Sequence, residues 1–391
     1  MDLKIFAKTI EPKARAQIDL LLAQKPFKDC KVRIMPDVHA GVGCVIGFTA
    51  NLGDKVIPNI VGVDIGCGML TVGLGKRDID FEKLDQVIRR YVPSGRCVHP
   101  TPRFGPSLSI IDGLRCRAQL RDVEWLHCSV GTLGGGNHFI EIDEDSDGNK
   151  YLIIHTGSRN LGKQVAEIYQ AKAVKSCHSQ RELRYQIIKY LRGEGREREI
   201  STYLAKLDAK KRIPKELCYL EGNERDDYLH DMRLCQHFAH FNREAIASAI
   251  RYYMGLPCTS PLWFHTVHNY IDDQGMVRKG AISARWEEQV LIPINMRDGC
   301  LLGTGLGNPD WNYSAPHGAG RIMSRSKAKE SIPLEEYQKS MEGVFTTSVS
   351  PATLDEAPQA YKPIDEILEC IGETVKVNRI IWPVYNFKAS D

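Results

Sequence analysis

The stretch Gly62-Val63-Asp64-Ile65-Gly66-Cys67-Gly68 constrains this chain more than any other. Glycines bracket a carboxylate and a thiol that lie three residues apart. Glycine at this density lets a backbone turn sharply and come close to a ligand. A carboxylate and a thiolate together suit a divalent metal of borderline softness, such as zinc, manganese, iron or cobalt. The same stretch also fits a glycine-rich turn around one buried cysteine, because single cysteines often serve as small core hydrophobes. What weighs on the choice is the rest of the chain, which sets isolated histidines in equally glycine- and asparagine-rich surroundings.

The 391 residues leave room for one large or two ordinary domains with a sizeable core. A net charge of +3 excludes global basicity, so any nucleic-acid site must be a local patch. Twelve cysteines without a Cys-x-x-Cys pair exclude a zinc ribbon and a disulfide framework. Met1-Asp2-Leu3-Lys4 does not read as a signal peptide, and no apolar run has the length of a membrane span. The expectation is a cytoplasmic protein with reduced thiols and no membrane partner.

The glycine motifs recur at strand ends. Cys30–Met35 alternates like a strand and runs into Pro36-Asp37-Val38-His39, a polar pair that fits either a site or an Asx turn. Strands are expected over Val45–Ala50 and Met69–Leu74, so the 62–68 motif is read as a loop held by sheet on both sides. A helix is expected over Ile79–Tyr91. Gly134-Gly135-Gly136-Asn137-His138-Phe139-Ile140-Glu141 opens the next strand. Its alternation predicts His138 and Ile140 on one face and Asn137, Phe139 and Glu141 on the other. The strand Tyr151–Ile154 delivers His155-Thr156-Gly157-Ser158-Arg159-Asn160. Arginine and serine in a glycine loop suit a phosphate oxyanion, and Ser158 or Asn160 equally suits a helix cap. Residues 161–255 read as a mostly helical insertion. Within it the charged run from Arg181 to Arg198 is a solvated face or an RNA-backbone contact. His237 and His240 share a helix face there and are read as non-ligands. Pro261–Tyr270 is expected to be a strand carrying His268 and Asn269. Pro316-His317-Gly318-Ala319-Gly320-Arg321 precedes a helix expected near Ile322, and Ile380–Tyr385 closes the chain as a strand.

Together Asp64, Cys67, His138, His155 and His268 supply enough ligands for two adjacent metals sharing the Cys67 sulfur. Paired metals stabilise both the attacking and the leaving oxygen in phosphoryl chemistry. His317, flanked by small residues, reads as a sixth ligand or a nucleophile, since a neutral imidazole attacks phosphorus and leaves it well. Arg321, four residues on, has the position of a phosphate clamp. No Walker A lysine motif is present, so a nucleotide would be held in another way.

The chain resembles the RtcB family of RNA-splicing ligases over essentially its whole length. The resemblance is carried by Met35-Pro36-Asp37-Val38-His39, the 62–68 motif, Gly134–Glu141, His155-Thr156-Gly157-Ser158-Arg159, His268-Asn269 and His317-Gly318-Ala319-Gly320-Arg321. It implies an α+β fold of one domain over residues 1–391, with a mixed or antiparallel sheet around the site and peripheral helices. It also implies a GTP- and Mn(II)-dependent ligase with two Mn(II) per site. Such an enzyme joins RNA ending in 3′-phosphate or 2′,3′-cyclic phosphate to RNA beginning with 5′-OH, through a histidine–GMP intermediate. By the same resemblance Asp64, Cys67, His138, His155 and His268 are metal ligands, and His317 takes GMP from GTP. Asn137, His138, Phe139, Ile140, Glu141, His268, Asn269, Pro293, Ile294, Asn295, Met296, Cys300, His317, Gly318, Ala319, Gly320 and Lys388 lie around the nucleotide. Glu141 and Lys388 are the expected guanine contacts, and Arg159 and Arg321 the RNA or phosphate contacts. Apart from the resemblance, the sequence leaves open an accessory activating protein, and a monomer is the default expectation.

Two departures stand out. The family's Pro-Gly-Ser-Met before a later serine is here Pro293-Ile294-Asn295-Met296 before Cys300. The family's terminal Lys-Gly is here Lys388-Ala389-Ser390-Asp391. Both touch the nucleotide positions, so nucleotide affinity or base preference is expected to differ. Two rival readings use the same residues: a metal-dependent phosphoesterase that trims RNA ends without a nucleotide, and a non-catalytic RNA-binding repair factor.

Overall fold

A computed structural model describes residues 2–103, 105–179, 181–208, 213–257 and 259–389; Ser390 and Asp391 lie outside it. The apolar and alternating segments pair into two main sheets. The larger has eight strands. Its path runs Gln289–Asn295, Gly299–Gly305, Val375–Lys388, Phe139–Glu144, Asn149–Thr156, Gly68–Lys76 and Trp263–Val267, with Phe345–Thr346 alongside Val375–Lys388. Every neighbour along that path is antiparallel. The two end strands approach each other, so the sheet nearly closes into a barrel. The second sheet has five strands, in the order Asp2–Ile5, Lys31–His39, Ile46–Asn51, Met276–Lys279 and Asn269–Ile271. A short ribbon pairs Ala281–Ser283 with Ser314–Pro316. The architecture is α+β, as expected.

Side-chain alternation sorts the two faces of the larger sheet. Leu70, Val72, Ile140, Ile142, Leu152 and Ile154 pack against Leu84 and Ile88 of the helix Phe81–Tyr91 and against Ile246 and Ile250 of the helix Gly222–Met254. Met69, Phe139, Ile153, Leu291 and Cys300 point to the other side, inside the curved sheet. The helix Gly222–Met254 is 33 residues long. It buries Tyr228, Met232, Cys235, Phe238, Ile246 and Ile250, the three-to-four spacing of an amphipathic helix. It stops where Gly255 takes the left-handed conformation. Among the described residues no helix is long and apolar enough to cross a membrane.

Four local expectations are corrected. The strand that begins near Cys30 runs on to His39, so Asp37 is a strand residue rather than a turn residue. The approach to the glycine motif is the short helix Pro58–Val61, placed by proline at its first turn, so sheet holds the motif on one side only. The strand carrying His268 breaks there, between Trp263–Val267 and Asn269–Ile271. The helix expected near Ile322 begins at Arg325, after Ser324 accepts a cap bond from Lys327 N.

The long helix is also a polar anchor. The buried Asp231 carboxylate accepts from Arg115 N at 2.8 Å, Cys116 N at 3.0 Å and Tyr169 Oη at 2.8 Å. Asp231→Ala strands these buried donors. It is expected to cost about 3 kcal/mol, the scale of orphaned buried hydrogen-bond groups. The check is a urea melt whose midpoint falls while its slope is unchanged.

Candidate metal centre

Strand register gathers the histidines. Gly68, where the glycine motif enters its strand, pairs with Thr156 on one side and Val267 on the other. That places Cys67, His155 and His268 at the same end of three adjacent strands. Phe139 pairs with His155 across the next strand, which brings His138 alongside. Close approach to the loop needs glycine: a Cβ on Gly157 would lie 2.1 Å from Asp64 Oδ1.

The result is two ligand groups with a common sulfur. Asp64, Cys67 and His138 form one, and Cys67, His155 and His268 the other, with the ligand atoms of each within 4.8 Å of one another. Cys67 Sγ lies 3.5 Å from His138 Nε2 and 3.3 Å from His155 Nε2, and His138 Nε2 lies 3.0 Å from Asp64 Oδ2. Backbone carbonyls fix the tautomers. His138 Nδ1–H donates to Leu133 O at 2.9 Å and His155 Nδ1–H to Asn137 O at 3.1 Å, so both Nε2 lone pairs face the sulfur. His268 N donates to Cys67 O at 2.9 Å, and the His155 and His268 rings lie 5.2 Å apart. Burial pushes the His155 and His268 pKa values well below the ordinary value, and neighbouring histidines add to the effect. Burial, then the Asp64 charge, pushes the Cys67 thiol well up.

These residues fit a pair of divalent cations. Asp64 Oδ1 and His268 Nδ1 are buried with no hydrogen-bond partner among the described residues, and a cation satisfies both. Three imidazoles, a carboxylate and a shared thiol also match the donor preferences of borderline metals.

His317 reaches the same place from the other sheet. Its ring lies 4.8 Å from His268. Its Nδ1–H donates to Asp37 Oδ2 at 2.6 Å and its backbone N–H to the same oxygen at 3.1 Å. Asp37 is fully buried. The contact leaves the His317 Nε2 lone pair free, the form a nucleophile needs. Gly320 permits it, since a Cβ there would lie 2.3 Å from Asp37 O and its φ is +78°. The sequence marked Asp37 as polar at a strand; only the fold shows that it serves His317.

The nucleotide candidates divide. Phe139 lies 5.2 Å from His155. Lys388 pairs with Phe139 across the sheet, and Asn386 with Glu141, to whose Oε1 Asn386 Nδ2 donates at 2.9 Å. Cys300 sits with Glu141 and Asp143 in a third close group. Burial lifts Glu141 to about 7, against the Asn386 hydrogen bond and the Lys388 charge. Asp143 follows Phe139 and Glu141 at the strand's period of two, the signal that could have found it. Asn269 Oδ1 accepts from Gly280 N at 3.1 Å, beside the motif. A Cβ on Gly318 would touch Pro293 O at 3.2 Å, so those two are neighbours. Ile140, Ile294 and Ala319 are core side chains. Met296 accepts from Tyr337 Oη, and Asn295 is engaged with Asp298 at 2.7 Å. Asn137 contributes its carbonyl to His155 and is exposed. The expected sharing of one face by His138 and Ile140 fails, because the strand starts only at Phe139 and His138 turns inward from the loop before it.

The two arginines differ. Arg159 stands in the left-handed region at φ 58°, and its guanidinium bonds Thr132 Oγ1 at 3.0 Å and Gly95 O at 2.9 Å, close to Gly134 and His138. Arg321 is taken up by protein partners: Met323 O, Asp355 O, Tyr361 Oη and Glu356. Lys388 Nζ also meets Glu356. His240, read as a non-ligand for want of a carboxylate, has Glu244 one turn away and His265 across from it.

A near-barrel sheet with a thiol shared between two histidine-bearing groups makes a candidate metal centre. The chain belongs to the RtcB family: the family model described as tRNA-splicing ligase RtcB matches residues 20–106 and 116–389. It is 30% identical to the RNA-splicing ligase RtcB1 of Escherichia coli strain ATCC 25922, over 96% of this chain and 94% of that protein. It is 29% identical to the RNA-splicing ligase RtcB of E. coli K12 over the same shares, 96% and 94%. With the tRNA-splicing ligase RtcB of Pyrobaculum aerophilum the identity is 25%, over 89% of this chain and 85% of that one.

Because the folded pKa values of His155 and His268 lie below the unfolded value of 6.5, the unfolded chain binds more protons once the pH falls through 6.5. Metal-free protein is therefore expected to lose stability as pH drops from 7.5 towards 5.5. The drop should shrink in the His155→Asn/His268→Gln double variant. Urea midpoints in chelator at the two pH values check this; an equal drop in both proteins contradicts it.

Proposed function

We propose that this protein is an RNA ligase that uses GTP and Mn(II) to join RNA ending in 3′-phosphate or 2′,3′-cyclic phosphate to RNA beginning with 5′-OH. The observation that carries this reading is His317, fixed through Nδ1 to buried Asp37 and set against His268 of the two-triad centre. A two-metal phosphoesterase can work through metal-bound water, whereas ligation through a nucleotide adduct needs a nucleophile on the chain, and the oriented imidazole with a free Nε2 supplies one. Family membership supports RNA ligation as the class of reaction.

Two divalent ions held by Asp64, Cys67 and His138 and by Cys67, His155 and His268 would neutralise phosphate oxygens at the reacting centre. The chain supplies the rest. Phe139 offers an aromatic face to a purine, and Glu141 and Lys388 lie on its flank. A base N–H presented to Glu141 favours its ionised form. His317 Nε2 attacks the α-phosphorus of GTP; the bond to the β-phosphate oxygen breaks and pyrophosphate leaves. Asp37 stabilises the positive charge that develops on the ring, as a buried carboxylate does for a catalytic histidine. Water opens a cyclic end to 3′-phosphate. An oxygen of that 3′-phosphate attacks the α-phosphorus, the P–N bond breaks, and RNA(3′)pp(5′)G results. The 5′-OH then attacks the RNA 3′-phosphorus, its proton goes to solvent, and GMP departs.

Incubation with α-labelled GTP and Mn(II) is expected to give an acid-labile, protein-bound GMP that is absent from His317→Ala. Asp37→Asn should keep the fold and slow adduct formation by about 10²-fold or more, the scale of general acid–base and orienting contributions. End-trimming of RNA without any adduct would establish the hydrolase instead, and RNA binding with neither would establish a scaffold. Cys67→Ala is expected to abolish both adduct and ligation; metal-dependent guanylylation persisting in it would contradict the shared-thiolate role.

A further inference from the structure

Beneath the metal centre, on the helix Gly222–Met254, lies a polar group outside the ligand set. Arg243 is 1% exposed. Its Nη1 donates to Gly66 O at 2.9 Å and to Thr156 O at 2.8 Å. Gly66 precedes the shared Cys67, and Thr156 follows the ligand His155. One nitrogen thus ties the two chain segments whose separation sets the 3.3 Å distance from Cys67 Sγ to His155 Nε2. The remaining direction of the guanidinium is set from behind. Arg243 Nε donates to His265 Nδ1 at 3.1 Å, and His265 Nε2 meets Glu244 Oε1 at 2.8 Å. Trp263 Nε1 holds the same carboxylate oxygen at 2.8 Å.

His240, Glu244 and His265 also have the makings of a third metal site, and the tautomer decides against it. Arginine only donates, so His265 Nδ1 must carry a lone pair and Nε2 its proton. That Nε2–H points at Glu244 and is not a free ligand atom. Ligation there would require the loss of the Arg243 bond or a doubly deprotonated ring.

We propose that Arg243 is the positioning residue of the metal centre and that the His265–Glu244 pair holds it in register. The geometry acts as a brace: the carboxylate orients the imidazole, the imidazole orients the guanidinium, and the guanidinium fixes the backbone on both sides of the shared sulfur. Outer contacts of this kind are worth about 10–100-fold in metal affinity. The proposal rests on the metal-centre reading above, and the test separates the two.

Chelator-treated full-length protein is titrated with Co(II) and followed by the thiolate-to-cobalt charge-transfer band, with far-UV circular dichroism as the fold control. Wild type is expected to saturate at two equivalents. His265→Leu should weaken Co(II) binding about tenfold or more. His265→Gln should stay within about threefold of wild type, since one amide can accept from Arg243 and donate to Glu244. Glu244→Ala, at a partly exposed position, gives a second variant should the leucine fail to fold, and it too should weaken binding. Wild-type affinity in both His265→Leu and Glu244→Ala overturns the brace, and so does an equal loss in His265→Gln and His265→Leu. A third equivalent of Co(II) that disappears in His240→Ala overturns it in favour of a metal site. No thiolate band in wild type removes the metal centre itself, and the brace with it.

Discussion

One sulfur atom stands between two sets of ligands. Cys67 is 3% exposed, and desolvation makes its thiolate unfavourable on its own. A divalent cation held at the sulfur would remove that penalty, provided the ligands around it stay in place. Much of the surrounding structure maintains that condition. Sheet register on both flanks of Gly68 fixes the depth of the cysteine. Carbonyls of Leu133 and Asn137 turn two imidazoles towards it. Ser158 Oγ donates to Ile65 O at 2.5 Å and pins the loop from the side. Asn242 bonds Gly131 N, Thr132 N, Thr132 O and Gly157 O, stitching together the loops that carry the other ligands.

The candidate centre lies where the two sheets meet. The ligands come from the eight-stranded sheet, while the oriented imidazole comes from the ribbon strand Ser314–Pro316 and is braced by Asp37 of the five-stranded sheet. His268 links them, for its carbonyl accepts from Gly280 N at 2.7 Å at the turn between the second sheet and the ribbon. A small shift of one sheet against the other would separate His317 from the two ligand groups without disturbing either internally. The buried Asp37 carboxylate ties the His317 ring to the five-stranded sheet.

The flank of the centre is equally polar and equally enclosed. Glu141 and Asp143 are buried side by side, and burial followed by the Glu141 charge pushes the Asp143 carboxyl well above its usual range. The Asp143 carboxyl meets the Cys300 thiol. Two carboxyls held in their protonated range beside an aromatic face can both donate to and accept from a ligand edge. Cys300, where the family reads serine, lies against these carboxyls, so the departure falls on the surface a base would meet.

The periodicity of the chain was enough to place the helix Phe81–Tyr91 and most strands, because apolar spacing reports directly on which face is buried. Its glycine–histidine motifs marked every residue of the two ligand groups, because ligand chemistry and close backbone approach leave local signatures. What depends on register and on contacts between distant segments left none. Sequence could not show that His138 turns inward while Ile140 faces the helices, that Asp37 belongs to His317, that Arg321 is absorbed by Glu356 and Tyr361, or that Arg243 clamps Gly66 to Thr156. Each pairs residues separated by anything from a few positions to almost three hundred, and only the folded sheets fix those distances.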